Sequence, residues 1–327
     1  MKKIISILSG LCLFTSLTIN ASNFLLNEYN IITIDDFETT GGTHVEGKVF
    51  VGGDLIGQNL GVGSRLDSNV NALTVVGDLN TEINFSNNNL EINDSHTVEN
   101  NGSQIKVNDQ FMKNINTVSV SSETSLNNLK ADYQSQLENS SAYFESLAAN
   151  SNLVTNGNDN TFEVDSIIGT DDAAVFSIDG NTSIFDLQNQ QISMSGSNLS
   201  DLDYILINVA GSDLALSGGS NMTGIKNDKL SAKVIWNFYE ATTINLNSQN
   251  FVGALLAPYA TVTQTGGNID GAVGVFSLIT QAQVHLPTSV DINISQVASI
   301  PATKVPEPTS LALLFIALSG LLYKRKC

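Results

Sequence analysis

Short apolar runs bounded by glycine, asparagine or aspartate recur along most of the chain. The clearest runs are residues 45–51, 73–76, 105–107, 175–178, 204–209, 233–238, 251–257 and 272–278. They are rich in β-branched side chains and too short for helices of ordinary length, which is typical of β-strands. The pattern therefore predicts a β protein.

Some of these runs are echoed further along the chain. Residues 51–55 (VGGDL) are echoed by 76–79 (VGDL), and 252–255 (VGAL) by 270–273 (DGAV), 18 residues later. A period of about 18 to 25 residues, with glycine where the chain turns, is typical of stacked coils. We predict a parallel β-solenoid, and a β-sandwich with Greek-key connections is the alternative.

One segment has a helical pattern instead. Between residues 122 and 150, apolar side chains recur at steps of three, four and seven residues: Leu126, Leu129, Tyr133, Leu137, Phe144 and Leu147. Ser121 or Ser122 can cap the start, and Glu123 suits the first turn. This spacing predicts an amphipathic helix packed along the β body.

The two ends have patterns of their own. Residues 1–21 combine Lys2 and Lys3 with an apolar stretch that ends near Ala21, which is typical of a secretory signal peptide. We expect cleavage after Ala21, a β domain over residues 22–300, and a linker plus C-terminal tail over residues 301–327.

The tail has three parts in a fixed order. A turn of Pro306, Glu307 and Pro308 precedes an uncharged run over 309–323, and Lys324, Arg325 and Lys326 follow. Fifteen helical residues reach only about 22 Å, against a hydrocarbon core of about 30 Å. The tail therefore enters a bilayer but spans it poorly, with its cations on the cytoplasmic side.

This tripartite tail resembles the PEP-CTERM sorting signal of Gram-negative bacteria. The resemblance implies that the tail inserts transiently into the inner membrane as a transmembrane helix and is removed by an exosortase, and that the body is released to the cell surface or the extracellular matrix. An ordinary tail anchor of marginal length is the alternative.

The charge of the chain excludes several partners. The whole chain has a net charge of −18, with 14 basic and 32 acidic residues. Five of the basic residues lie in the signal peptide and the end of the tail, so the mature region carries about −23. Such a surface repels nucleic acid and anionic lipid. Cys12 and Cys327 both lie in segments that we expect to be removed, so the mature fold has no disulfide.

The sequence lacks the usual catalytic and metal-binding motifs. It contains no G-x-S-x-G, H-E-x-x-H, G-x-G-x-x-G or P-loop pattern. His44, His96 and His285 are scattered, and the pairs Asp35–Asp36 and Asp171–Asp172 are better explained as turns than as paired catalytic carboxylates. We therefore predict no enzyme activity, no cofactor and no metal site.

Several segments, in order from about residue 24 to about residue 290, resemble the choice-of-anchor A domain family. They are 44–54 (HVEGKVFVGGD), 207–211 (INVAG), 233–242 (KVIWNFYEAT), 253–262 (GALLAPYATV) and 267–271 (GNIDG), closed by His285. The residues that carry the resemblance are Gly47, Gly52, Gly53, Asn237, Gly253, Pro258, Gly271 and His285. We expect structural roles for all of them, with Asn237 facing inward to satisfy backbone groups at a corner.

The resemblance implies a cell-surface or extracellular-matrix protein, in some cases linked to adhesion and biofilm, without established catalytic residues. The segment 256–262 (LAPYATV) also resembles bacterial ice-binding β-solenoids. Ice binding needs a long flat array of regularly spaced threonines, and Thr261 with Thr263 is too little. We predict an exosortase substrate with a structural role in the exopolysaccharide matrix; a carbohydrate-binding or adhesion module is the alternative.

Overall fold

The computed structural model describes residues 24–286, apart from 103, 166–172, 181–183, 186, 197–198, 200 and 227. The predicted signal peptide, the sorting residues 306–308 and 324–326, and the pair Asp171–Asp172 lie outside the described residues.

The first half of the described chain contains two helices, α1 (Leu25–Glu28) and α2 (Glu123–Ser146). Its strands are β1 (Ile31–Thr33), β2 (Phe37–Thr39), β3 (His44–Val45), β4 (Val49–Val51), β5 (Leu55–Gly57), β6 (Leu60–Val62), β7 (Asn71–Val75), β8 (Leu79–Asn80), β9 (Ile83–Phe85), β10 (Asn89–Asn93), β11 (Val98–Asn100), β12 (Ile105–Val107), β13 (Gln110–Lys113) and β14 (Thr117–Ser121).

The second half contains one short helix, α3 (Asp228–Ser231). Its strands are β15 (Asn152–Asn156), β16 (Asp159–Glu163), β17 (Ala173–Asp179), β18 (Gln191–Ser195), β19 (Tyr204–Ala210), β20 (Asp213–Ala215), β21 (Asn221–Gly224), β22 (Val234–Asn237), β23 (Thr243–Asn247), β24 (Phe251–Val252), β25 (Ala254–Gln264), β26 (Asn268–Asp270), β27 (Val273–Thr280) and β28 (Gln283–His285).

The strands form a parallel β-solenoid with three faces, as predicted, and the sandwich alternative is wrong. Face one has the order β14-β10-β7-β4-β1-β27-β25-β22-β19-β17. Face two has the order β8-β5-β2-β27-β25-β23-β20, in which β25 and β27 bend from face one into face two. Face three contains β13-β9-β6-β3-β28-β26-β24 and the separate sheet β16-β18-β21. Antiparallel neighbours occur only at the ends of face three among the described strands, where β12 pairs with β11 and β13, and β15 with β16.

The corners between faces explain the sequence echoes. Gly77 stacks on Gly53, with a hydrogen bond of 2.9 Å from Gly77 N to Gly53 O, at the corner between faces one and two. Gly271 stacks on Gly253 at the corner between faces three and one. The runs 45–51 and 251–257, read from the sequence as single strands, are each two strands separated by such a corner, at Gly47 and Gly253.

The coil length varies more than the predicted 18 to 25 residues. Ile31 pairs with Val49, 18 positions later, but Leu90 pairs with Val118, 28 positions later, and Ala173 with Tyr204, 31 positions later. The extra residues of the coil after β10 form the antiparallel strands β11 and β12. Insertions of this kind leave the stacked strands in register while they enlarge the loops between them.

The chain does not wind from one end of the solenoid to the other. It starts in the middle at β1 and winds outward to β14. Helix α2 then returns it to the opposite end of the solenoid, where β17 is the outermost strand of face one. The second half winds back until β27 pairs with β1. Twenty-four helical residues span about 36 Å, against about 43 Å for the ten stacked strands of face one, so α2 covers most of that face.

Inward side chains from all three faces form one continuous core. One part of this core is aromatic: Trp236 is in edge-on contact with Phe162 and Phe185, at ring-centroid distances of 5.6 and 6.0 Å. The Nε1–H of Trp236 donates to Val252 O at 2.9 Å, which satisfies the one polar group of this ring. With no cysteine in the described residues, this core and the hydrogen-bond ladders hold the fold together.

A second apolar layer lies between face one and α2. Leu126, Leu137 and Phe144 of α2 are buried against outward side chains of face one, among them Ile235 and Leu256. Ser122 caps the helix by accepting a hydrogen bond from Ser125 N at 3.2 Å. The predicted helix and its cap are confirmed, although the helix ends at Ser146 rather than near residue 150.

Asn237 belongs to this second layer, and the prediction that it faces inward at a corner was wrong. Trp236 and Phe238 face the core, so strand alternation turns Asn237 outward, towards α2. Its Nδ2 donates to Ser141 O at 2.9 Å, and its Oδ1 accepts from Ser141 Oγ at 2.6 Å. Asn237 thus joins the helix to face one through two hydrogen bonds.

Candidate functional site

Face two presents a regular polar surface. Alternate residues point into the core, so the outward positions fall into two rows that cross the strands. One row contains Asp213, Thr243, Thr261 and Ser277. The other row contains Ala215, Asn245, Thr263, Ile279, Glu38, Ile56 and Asn80.

The centre of this surface is a cluster of hydroxyl and amide groups, which we call the polar cluster: Thr243, Asn245, Thr261, Thr263 and Ser277. Thr243 pairs in register with Thr261, and Asn245 with Thr263. Neighbouring strands are about 4.8 Å apart, and alternate residues of one strand about 6.7 Å apart. The cluster therefore offers hydrogen-bonding groups on a two-dimensional grid.

A carboxylate ends the first row. Thr243 Oγ1 donates a hydrogen bond to Asp213 Oδ1, and Ser212 Oγ donates to Asp213 Oδ2 at 3.0 Å. These hydrogen bonds, that from Thr243 first, hold the pKa of Asp213 below its ordinary value. Asp213 is fully exposed and remains ionised at neutral pH, so this edge of the surface is negative.

The residues that carry the family resemblance line two corners of the solenoid. Gly52, Gly53 and Pro258 lie between faces one and two. Gly47, Gly253 and Gly271 lie between faces three and one, next to His285. A Cβ on Gly52 would lie 2.3 Å from Ile34 O, and one on Gly271 would lie 2.1 Å from Gly253 O. The backbones of successive coils touch at these glycines, which is a structural role.

Asn30 ties three of these residues together and was missed from the sequence. It is fully buried where the first coil meets the last. Its Nδ2 donates to Gly271 O at 3.1 Å and to His285 O at 3.4 Å, and its Oδ1 accepts from Gly47 N at 3.1 Å. These contacts span up to 255 positions of the sequence, so no local pattern points to them.

His285 belongs to an ion-pair group on face three. Its Nδ1 lies 2.8 Å from Asp270 Oδ1, and Lys226 Nζ lies 2.7 Å from Asp270 Oδ2. Burial opposes ionisation of Asp270, but the hydrogen bonds and charges of Lys226 and His285 outweigh it, so the pKa of Asp270 lies below its ordinary value.

The other two histidines have different surroundings. His44 lies over Gly61, and its Nε2 is 2.8 Å from Ser64 Oγ. His96 is buried: its Nε2 accepts from Leu79 N at 3.2 Å, and its Nδ1 lies 2.9 Å from Asn93 Oδ1. The described residues contain no group of three or more His, Cys, Asp or Glu side chains able to hold a metal ion.

The carboxylates Asp35 and Asp36 form a turn, as predicted. They lie at the corner between faces one and two, where Asp36 Oδ1 accepts from Asp54 N at 2.8 Å. Asp54 Oδ1 accepts from Asp78 N in the next coil at the same distance. The carboxylates therefore serve as acceptors for backbone N–H groups along this corner.

Face three also has two neighbouring cavities of about 310 and 470 Å³. Glu82 and Lys113 line both cavities and form an ion pair with each other at 2.7 Å. The cavities thus contain a carboxylate and an ammonium group that are already satisfied, and they lack the regular spacing of face two.

A family model described as "Putative Ice-binding-like adhesive domain" matches residues 24–286, nearly all of the described body. The chain belongs to this family of adhesive domains. The description names adhesion and likeness to ice-binding proteins rather than a chemical reaction. The resemblance to choice-of-anchor A domains stays a prediction, because the matching family model is a different one.

Solved structures of ice-binding proteins are similar to the chain at a low level. A protein from an Antarctic biological consortium is 14% identical over 87% of this chain and 96% of its own, with a TM-score of 0.34. A domain from Shewanella frigidimarina is 13% identical over 81% and 96%, also with a TM-score of 0.34. Neither activity nor ligand is transferred from them at this similarity. No curated protein matches the chain.

In the adhesive domain, the described helices do not cross a membrane: none is long and apolar enough. The predicted transmembrane segment of the tail lies beyond the described residues. The family model likewise ends before the predicted Pro306–Pro308 turn, so the sorting signal stays a prediction.

Proposed function

We propose that this protein is an exported adhesive protein of the cell surface or the exopolysaccharide matrix, and that face two is its binding surface. The observation that carries the proposal is the in-register polar cluster of Thr243, Asn245, Thr261, Thr263 and Ser277. Membership of an adhesive-domain family supports it.

The three faces differ in what they offer a partner. Face one is covered by α2 along most of its length, through the apolar layer that contains Leu137 and Phe144. Face three is interrupted by cavities and by ion pairs such as Lys113–Glu82. On face two, the side chains of Thr243 and Asn245 are exposed and those of Thr261 and Thr263 half-buried. Ser277 closes the row as a buried residue whose Oγ donates to Asp35 Oδ2 at 3.4 Å. An extended partner therefore meets a repeated set of hydroxyl and amide groups on face two.

The position of the C-terminal segment suits this orientation. β28 lies on face three, and Leu286 follows it at the corner between faces three and one, where its N–H donates to Glu46 Oε2 at 2.8 Å. In a three-sided solenoid, this corner is the one opposite face two. A body attached through residues beyond 286 would therefore present face two away from its point of attachment.

The predicted sorting signal completes the proposal. In this scheme the signal peptide directs export, the apolar part of the tail inserts transiently into the inner membrane, and an exosortase cleaves near Pro306–Pro308. The mature adhesive protein then has no apolar tail and a net charge of about −23, which favours solubility in the matrix.

The processing step is tested by the intact mass of the secreted protein. We expect a mature C-terminus within or next to Pro306–Pro308. A surface form that still carries Lys324 to Cys327 would contradict exosortase processing, and would leave adhesion by face two to be decided by the binding experiment.

Binding is tested with the mature secreted protein on a surface coated with exopolysaccharide of the producing cells. The triple variant Thr243→Val, Thr261→Val and Thr263→Val keeps the β-branched shape and removes three hydroxyl groups. We expect at least about tenfold weaker binding, because three hydrogen bonds to the ligand are lost and each contributes about 0.5–1.5 kcal/mol. Thr161→Val, on β16 of face three, is the matched control and should bind like the wild type.

The same variants separate adhesion from ice binding. If the wild type inhibits ice recrystallisation and the triple variant does not, face two is an ice-binding surface instead. A wild type that binds neither the matrix surface nor ice would contradict the proposal.

A further inference from the structure

Two aromatic side chains are exposed at one corner of the solenoid, although most aromatic side chains of the described residues are buried. Tyr259 is 47% exposed and Phe276 is 38% exposed, while Trp236 and Phe238 are fully buried. Tyr259 lies on β25 and Phe276 on the adjacent strand β27, both at the corner between faces one and two. Exposed aromatic rings of this kind offer a flat apolar surface next to polar groups.

A local irregularity produces this exposure. Ala257 pairs with Val275, and Thr261 with Ser277, so three residues of β25 face the single residue Phe276. Pro258 and Ala260 are buried, and the chain bulges so that Tyr259 points outward between them. The neighbouring coil adds the half-buried Tyr239, which follows Phe238, whose N–H donates to Leu256 O at 2.8 Å. We call Tyr239, Tyr259 and Phe276 the aromatic ridge.

The ridge is surrounded by hydrogen-bond acceptors and hydroxyl groups. The carboxylate of Glu138 on α2 is close enough to Tyr259 to add to the effect of burial, and together they raise the pKa of Tyr259. Glu240, Glu145 and Asp179 act in the same way on Tyr239. On the other side of the ridge, Thr261 and Ser277 begin the polar cluster of face two.

We infer that the aromatic ridge and the adjoining row of face two bind one chain of a neutral polysaccharide, laid across the strands along the solenoid axis. Sugar rings present C–H groups on their faces and hydroxyl groups on their edges. The faces would pack on Tyr259 and Phe276, while the edges reach Thr261 and nearby carboxylates. The inference rests on the proposed adhesive function and gives it a class of ligand.

The charge of the protein favours an uncharged polymer over a polyanion as the ligand of the ridge. The carboxylates near the ridge and a net charge near −23 repel polyanions and a second copy of the same chain. They do not penalise an uncharged polymer, whose hydroxyl groups donate hydrogen bonds to carboxylates.

The experiment measures binding of the mature secreted protein to hydroxyethylcellulose, laminarin and dextran by affinity electrophoresis. We expect retardation by at least one of these neutral polymers, and at least about tenfold weaker binding by Tyr259→Ala and by Phe276→Ala. Tyr259→Phe keeps the ring and should bind within about twofold of the wild type. Phe111→Ala removes a half-buried aromatic ring of face three and should leave binding unchanged.

Circular dichroism and the urea midpoint of each variant show whether it is folded. Unchanged binding by folded Tyr259→Ala and Phe276→Ala would overturn the inference, as would a wild type that binds none of the three polymers. Preference for alginate, a polyanion, or dimerisation that depends on Tyr259 would also overturn it. If one of these results is obtained while the matrix surface still retains the wild type and not the triple threonine variant, the ridge proposal fails and the adhesive function stands.

Discussion

Nδ2 of Asn237 donates a hydrogen bond to Oδ1 of Asn208 at 2.8 Å across the outer surface of face one. The two residues are register partners on β22 and β19, and both are buried beneath α2. Asn208 Nδ2 in turn donates to Phe144 O at 2.7 Å, near the end of the helix. The pair thus supplies polar contacts that fix one position of α2 on an otherwise apolar layer.

Replacing Asn237 by Ala should destabilise the protein by about 1–3 kcal/mol, because buried groups of Ser141 and Asn208 lose their partner. The urea midpoint of unfolding measures the change. Asn80→Ala, on the exposed side of β8, removes the same amide from the surface and should change the free energy of unfolding by less than about 0.5 kcal/mol. Equal midpoints for the two variants would contradict the role given to Asn237.

Gly271→Ala should be among the most damaging single-methyl additions. The new Cβ would lie 2.1 Å from Gly253 O, so the two coils must separate at this corner. We expect a loss of about 2–4 kcal/mol in the free energy of unfolding, from overpacking. Gly42→Ala is the control, because no heavy atom lies within 4 Å of its added Cβ. Similar thermal midpoints for both variants would show that the coils do not touch as described.

Asp270 should make the free energy of unfolding depend on pH in the acidic range. Its folded-state pKa lies below its ordinary value, so the unfolded chain binds the proton more readily. The stabilisation is present above about pH 4 and is lost as the pH falls through the folded-state pKa. Because the Lys226 side chain is about half-exposed, solvent screens the ion pair, and we expect no more than about 1 kcal/mol.

Asp270→Asn should therefore flatten the pH dependence of the urea midpoint between about pH 5 and pH 3, relative to the wild type. The comparison is made with Asp67→Asn, a surface substitution outside the ion-pair group. An Asp270→Asn profile as steep as that of the wild type would mean that the carboxylate contributes nothing to the acid dependence.

His96→Phe should leave the buried backbone N–H of Leu79 without its hydrogen-bond acceptor. The phenyl ring has similar bulk, but it removes the acceptor for Leu79 N, which we expect to cost about 1–3 kcal/mol. Hydrogen exchange should accelerate at the Leu79 amide in particular. A general loss of stability would instead accelerate exchange at many amides. His44→Phe, where the ring is half-buried and accepts no backbone N–H, is the control.

Features that repeat from one coil to the next, or from turn to turn of a helix, could be predicted from the sequence. The glycine echoes at Gly53–Gly77 and Gly253–Gly271 correspond to stacked corners, and the helical spacing from Leu126 to Phe144 corresponds to α2. Each depends on residues close together in sequence, where turn geometry and side-chain periodicity dominate.

Contacts that join distant coils could not be predicted. The pairing of Ile31 with Val273 depends on the return path through α2, which leaves no local trace. Asn30 acts only at that junction, and the outward direction of Asn237 depends on which side of the strand the helix covers.

The polar cluster could be predicted from the sequence only in part. Thr243 precedes Thr261 by 18 positions, the same spacing as the Gly253–Gly271 echo, so periodicity alone could have placed the two threonines side by side. The contribution of Ser277 required the register of β25 and β27 across the bulge that contains Pro258. The exposure of Tyr259 has the same origin and carries no signal in a single sequence.

The internal position of the last strand has a mechanical consequence. β28 lies between β26 and β3, and β27 lies between β25 on one side and β1 and β2 on the other. Tension applied through residues beyond 286 must break ladders on both sides of the final coil at once, whereas a coil at the end of a stack would peel away along one ladder. The chain therefore transmits a pull from its C-terminal side into the middle of the solenoid, where resistance to unravelling is greatest.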